Sequence, residues 1–195
     1  PASYHMPPVA VSAIFAGLLT KVGVYAMYRV MTLIFIHDIT YTHAILAFIA
    51  GVTMVVGVLG AAVQTSVRRI FSYSVISAIG FMVLGLSLMT KLALVGGVFY
   101  MIHDILVKAN LFFVGGVMRN FAGGSHIFKV GGLYKASPWL AVLFMVPALS
   151  LAGVPPFSGF WAKLTLVMAT VEVGAWVLLF VALFAGLFTL YAMMR

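Results

Sequence analysis

Of 195 residues, 65% are hydrophobic and 7% charged, and the mean hydropathy is +1.22. A soluble domain carries about 25% charged and about 45–50% apolar residues, so lipid is the expected solvent for most of this surface. Cysteine is absent, which excludes disulfides, thiol chemistry and iron–sulfur ligation, and the eleven Lys+Arg are strewn along apolar segments rather than gathered in a patch, which argues for topology and intramembrane function over nucleic acid.

The chain opens at Pro1 with no charged leader or small-residue cleavage site, as expected of a piece from within a longer protein. A span needs roughly 20 apolar residues. Six segments qualify: 9–35, 43–64, 70–90, 93–118, 138–169 and 172–193. Pro7-Pro8 precede the first, where proline suits a helix start. Loops 37–42 and 65–69 are short, which makes neighbouring helices antiparallel. The stretch 119–137, with Gly123-Gly124, Lys129, Gly131-Gly132 and Lys135, reads as a surface loop with an amphipathic turn. The fold expected is an all-α transmembrane bundle over 1–195.

Segment 138–169 is too long for one simple span. Pro155-Pro156 at its centre remove two backbone donors and break the helix. Such a break is tolerated inside a membrane only against protein or a watery cavity, and transporters place helix ends there at ion sites. The plainer reading is a tight loop joining a short helix to the next span. With 138–169 as one crossing, Arg68, Arg69, Arg119, Lys129, Lys135 and Arg195 share the side of residue 1, against Lys91 and Arg29 opposite. That bias puts the residue 1 side in the cytoplasm of a cell inner membrane. Two crossings would move Arg195 across.

Lys21 lies about 18 Å of helical rise from the first span's start. Facing lipid there would cost about 3 kcal/mol or more, so it should face a protein interior with water or an acid partner. The alternative is a lysine tied to a structural carboxylate. His103, Asp104 and Lys108 share one helix. Asp104 and Lys108, spaced i,i+4, could form a structural ion pair. The functional reading is a proton relay, since histidine titrates near neutrality. Lys163 follows the proline break, where free carbonyls and water could reach it, or it snorkels to the interface.

Other polar groups carry plainer expectations. Arg29, Arg68, Arg69 and Lys91 read as topology anchors, and His5, His37, His43 and His126 as solvated loop histidines. Glu172 is read as starting the last span, where an acid suits the helix N-terminus. Trp139 is read as lipid-facing or core, and Gly17, Gly23, Gly57 and Gly60 as permitting close helix packing. There is no nucleotide fingerprint, no carboxylate pair suited to hydrolysis and no Ser/His/Asp arrangement. No cofactor, metal site or catalytic residue is expected.

Several of these motifs, in order, resemble one family. They are the run Pro7 to Tyr25 around Lys21, Arg68-Arg69-Ile70-Phe71-Ser72-Tyr73-Ser74, Met101 to Ala109 around Lys108, Gly132-Leu133, and Gly153-Val154-Pro155-Pro156-Phe157-Ser158-Gly159-Phe160-Trp161-Ala162-Lys163. Together they resemble the antiporter-like subunits of respiratory complex I and of Mrp-type cation/proton antiporters, in wording nearest the D-type subunits of the latter. The resemblance implies two inverted repeats, each with a broken helix, of which this chain carries the second. It places Lys21 at the central lysine or histidine position, Lys108 at the connecting lysine and Lys163 at the terminal lysine. His103 lies one position before a histidine of some relatives. The first repeat's glutamate and lysine are not in this chain. The function implied is a proton-conducting subunit of a multisubunit Na⁺/H⁺ antiporter, moving protons along Lys21, Lys108, Lys163, His103 and Asp104, with other subunits, the bilayer, H⁺ and Na⁺ as partners. Two alternatives stand beside it: a proton-pumping subunit of complex I or a membrane-bound hydrogenase, and a structural membrane scaffold.

Overall fold

The computed structural model describes residues 7–35, 39–122, 126–127 and 137–195. Within them seven helices follow in order: α1 Val9–Leu33, α2 Ile39–Val63, α3 Val67–Ser87, α4 Lys91–Ala122, α5 Pro138–Ala152, α6 Ser158–Glu172 and α7 Trp176–Met194. Five of them, all but α5 and α6, are long and apolar enough to cross a membrane.

α5 and α6 together make the sixth crossing. Leu140 of α5 packs with Val114 and Met118 near the end of α4, so α5 starts where α4 finishes. Glu172, at the end of α6, shares a cavity with Lys91, where α4 begins. The pair therefore runs antiparallel to α4 as one broken span. α7 returns, and Arg195 donates to the carbonyl of Ala62, near the end of α2, at 2.7 Å. Arg68, Arg69, Arg119 and Arg195 thus share one side, with Lys91 and Arg29 opposite. Ile127 donates its amide to the Thr65 carbonyl at 3.0 Å, tying the two connections on the arginine side together.

α3 is the buried centre. Apolar residues ring it on nearly every face, as expected of a helix surrounded by others. α2 approaches it through small residues: a side chain added at Gly57 would strike the Ser77 backbone, and one at Gly60 the Tyr73 ring. Gly80 of α3 returns the contact against Met54 and the Ala50 carbonyl. Helices in lipid associate by such close packing. Gly23 departs from this expectation, having nothing within 4 Å of an added Cβ.

Tyr28 locks α1 onto this centre. Its hydroxyl donates to the Met82 carbonyl at 2.5 Å and lies where α3 and α4 cross at Gly85 and Gly97. A Cβ at Gly97 would overlap that hydroxyl. Gly97→Ala should therefore destabilise the bundle by about 1–3 kcal/mol through overpacking. Thermal unfolding in detergent measures this, and an unchanged midpoint would refute the packing.

Four expectations shift at the element edges. Residues 67–69 and 119–122, expected in loops, are helical. Glu172 ends α6 and does not start the last span, which begins at Trp176; the left-handed Gly174 separates them. His43 is no solvated loop residue: α2 begins at Ile39, so His43 is buried, with Nδ1 3.2 Å from the Ser87 carbonyl. Arg68 sits at a span end as expected but is buried, donating to the Pro7 carbonyl at 3.4 Å. His5, His37, Lys129, Lys135, Gly123-Gly124 and Gly131-Gly132 lie outside the described residues, while His126 is exposed and Trp139 points outward.

Candidate functional site

The site begins with a defect in α1. Residues Phe15–Leu19 form a π turn between α-helical segments Val9–Ile14 and Thr20–Leu33. A π turn carries an extra residue and often marks functional positions. Here it lies just ahead of Lys21, whose Nζ donates to the Ala16 carbonyl, five residues back, at 2.6 Å. The same ammonium lies 2.6 Å from Asp104 Oδ2 of α4, and Lys21 and Asp104 are 2% and 0% exposed. Deep burial of two charges is tolerated when they pair and hydrogen-bond. Asp104 therefore pairs with Lys21 across helices and not with Lys108 along its own, as the i,i+4 spacing allowed. Its Oδ1 is buried and has no hydrogen-bond partner among the described residues.

α4 directs three polar side chains to three neighbours. Asp104 faces α1. Lys108, one turn on and fully buried, donates to the Ser74 hydroxyl of α3. Ser74 donates in turn to the Phe71 carbonyl at 2.7 Å, and the neighbouring Ser77 hydroxyl is buried without a partner among the described residues. His103 lies 100° round the helix from Asp104. Its Nδ1 is 2.9 Å from the Ser158 hydroxyl of α6, and its Nε2 is buried without a partner among the described residues.

The break between α5 and α6 has a chemistry set by its two prolines. In an α-helix the carbonyl of residue i accepts from the amide of i+4. The amides that would serve Leu151 and Ala152 belong to positions 155 and 156, which are proline and carry no N–H. Lys163 supplies the missing donors: its Nζ reaches back to the Leu151 carbonyl at 2.8 Å and the Ala152 carbonyl at 2.9 Å. A cation also suits the negative end of the α5 dipole. Nζ lies 5.4 Å from the Phe81 ring centre, within cation–π reach. Gly153 ends α5 at φ 87°, and a Cβ there would lie 2.9 Å from Lys163 Cδ, so glycine meets both the left-handed turn and the lysine's path. A cavity of about 390 Å³ opens beside Lys163, lined by Phe81, Gly153, Phe160, Leu183 and Gly186 among others.

All five residues singled out in the sequence thus converge on α4 and the helices touching it. Lys21, His103, Asp104 and Lys108 are buried and Lys163 half-buried. Sequence reasoning missed the π turn and the hydroxyls of Ser74, Ser150 and Ser158. The serines carried a usable signal: Ser74 closes the motif that opens at Arg68, and Ser150 and Ser158 flank the proline break. Among the described residues no group of three or more His, Asp or Glu is placed to hold a metal ion.

Six crossings around a set of buried ionisable groups define a multi-pass helical membrane protein. Residues 1–189 match the family described as NADH:quinone oxidoreductase/Mrp antiporter, transmembrane, and the chain belongs to it. The D-type subunit of the Na(+)/H(+) antiporter of Alkalihalophilus pseudofirmus is 48% identical over the whole chain, which covers 40% of that relative. Within the solved Mrp complex from Dietzia sp. DQ12-45-1b, one chain superposes with a TM-score of 0.93 and 38% identity over 98% of this chain and 36% of its own length. A subunit of the archaeal membrane-bound sulfane sulfur reductase superposes equally well, at 0.93 and 29% identity, over 99% of this chain and 40% of its own. The chain spans about two-fifths of the relatives it matches.

Proposed function

We propose that this chain forms the second proton-conducting half of a subunit in a multisubunit cation/proton antiporter, lodged in a cell membrane with its arginine-rich side in the cytoplasm. Protons move along Lys21, Asp104, Lys108, His103 and Lys163. The observation that carries this reading is Lys163: an ammonium held by the two carbonyls that Pro155 and Pro156 deprive of partners. Helix ends of that kind, exposed at a break inside the membrane, are where transporters handle ions. The buried orphans Asp104 Oδ1 and His103 Nε2 support it. Each costs about 1–3 kcal/mol unless solvated, so the interior around α4 suits water and proton traffic.

Coupling follows from the low dielectric. Charge on one group alters the proton affinity of the next, and the effect is several-fold stronger than in water. The exchanged cation is Na⁺, supported by the identity to the D-type subunit of the Alkalihalophilus antiporter. The arginine bias supports the cytoplasmic assignment.

The test is Lys163→Ala in the full-length subunit within its assembled complex. Na⁺-driven collapse of an imposed pH gradient in everted vesicles should fall at least tenfold with the complex intact. Unchanged exchange would favour a scaffold whose charges merely pair.

A further inference from the structure

We propose that Ser158 and Ser150 form a hydroxyl relay carrying protons between His103 and the break in the α5–α6 span, where Lys163 waits. The proposal rests on the proton-conduction reading above and adds two residues to it.

Two contacts and one adjacency in the chain define the relay. His103 Nδ1 lies 2.9 Å from Ser158 Oγ, and Ser158 Oγ lies 3.4 Å from Ser150 Oγ. The adjacency is this: Ser150 directly precedes Leu151 and Ala152, whose carbonyls hold Lys163 Nζ. His103 and Ser150 are buried, while Ser158 stands exposed at the first turn of α6, beside exposed Pro155 and Pro156. The path therefore runs from a buried imidazole to a hydroxyl on the surface of the break and back to a buried hydroxyl on the other half-helix. Ser158 thereby joins His103 of α4 to both halves of the broken span.

A hydroxyl both donates and accepts, so it passes a proton without holding charge. The proton on Nδ1 of the imidazolium moves to Ser158 Oγ as Ser158 releases its own proton to Ser150 Oγ. Ser150 gives up its original proton to a water molecule in the break, which delivers one to the neutral amine of Lys163. The result is neutral His103 and ammonium Lys163, with both serines and the water unchanged. At 3.4 Å the hydroxyl pair is about 0.6 Å longer than a common O–H···O bond. Transfer therefore requires the two half-helices to draw together at the break, and the relay conducts only in that closed arrangement. Gly159 makes such an approach feasible. A Cβ there would overlap the Ser150 carbonyl and lie 2.9 Å from His103 Nε2, so only glycine lets the three elements meet.

Ser158→Ala, Ser150→Ala and Ser158→Thr test this in the full-length subunit in its assembled complex, with Na⁺ pulses driving proton movement in everted vesicles. Each alanine variant should lower the flux about a hundredfold, the low end expected of a missing proton-transfer group. Ser158→Thr, which keeps the hydroxyl, should recover most of the wild-type rate. A serine that served packing alone would show the reverse pattern, tolerating alanine and suffering from the extra methyl of threonine. Wild-type flux in either assembled alanine variant overturns the relay, as does a threonine variant as impaired as the alanine. If Ser158→Ala fails to assemble, Ser150→Ala decides alone. Lys163→Ala run in parallel separates the levels. Loss of flux there with both serine variants fully active sinks only the relay, whereas full activity in Lys163→Ala sinks the conduction reading beneath it.

Discussion

Asp104→Ala should be the most damaging single substitution in the bundle. It leaves the Lys21 ammonium, 2% exposed and held otherwise by one carbonyl, as an uncompensated charge inside the membrane. Removing one partner of a buried ion pair costs about 3–5 kcal/mol. The variant should accumulate poorly in membranes, and what survives should melt many degrees below wild type in detergent. The informative companion is the double variant Lys21→Met with Asp104→Leu. Apolar residues of similar volume commonly restore or raise the stability of a buried pair's site, so the double variant should melt near wild type. Its Na⁺-driven proton flux should nevertheless stay abolished, because neither residue can then hold a proton. A double variant that is stable and still exchanges ions would show that the pair serves only to hold α1 against α4.

Gly159→Ala is the second. An added Cβ falls on the Ser150 carbonyl, a backbone atom at the end of α5 that cannot swing aside, and crowds His103 Nε2 at 2.9 Å. Relief requires α6 to move away from both α5 and α4. The overpacking cost is about 1–3 kcal/mol or more. The functional loss should exceed what that cost implies, since the same displacement separates Ser158 from His103 and Lys163 from its carbonyls. Gly23→Ala is the matched control, because nothing lies within 4 Å of a Cβ there. It should keep both melting temperature and exchange rate. Gly159→Ala behaving like this control would show that the half-helices do not approach so closely.

The span pattern was readable because a membrane imposes a one-dimensional rule. A stretch of about 20 apolar residues is a span whatever it packs against. The same rule made Pro155-Pro156 readable as a break, and Lys21, Asp104, Lys108 and Lys163 readable as buried charges that need partners. Edges were less legible. Arg68 and Arg119 look like loop residues by charge, yet α3 and α4 reach past both, since a long side chain can lie along a helix end and still find polar company. Glu172 misled for a related reason: the turn at Gly174 comes after the acid, so the charge closes α6 and faces Lys91 across a shared cavity.

By itself the sequence determined the all-α membrane architecture, the broken span and the set of ionisable groups that lipid cannot accept, because hydrophobicity, proline chemistry and charge are properties of residues taken one at a time. Which group meets which was decided by tertiary structure alone. The i,i+4 spacing offered Asp104 to Lys108, but the π turn in α1 and the crossing with α4 brought Lys21 to 2.6 Å from it, and Ser74 took Lys108 instead. Likewise the prolines freed two carbonyls that Lys163 could reach or snorkel away from, and the return of α6 against α5 decided that it reaches them. Pairing depends on helix rotation and crossing, which arise from packing many residues at once and leave no trace in any single motif.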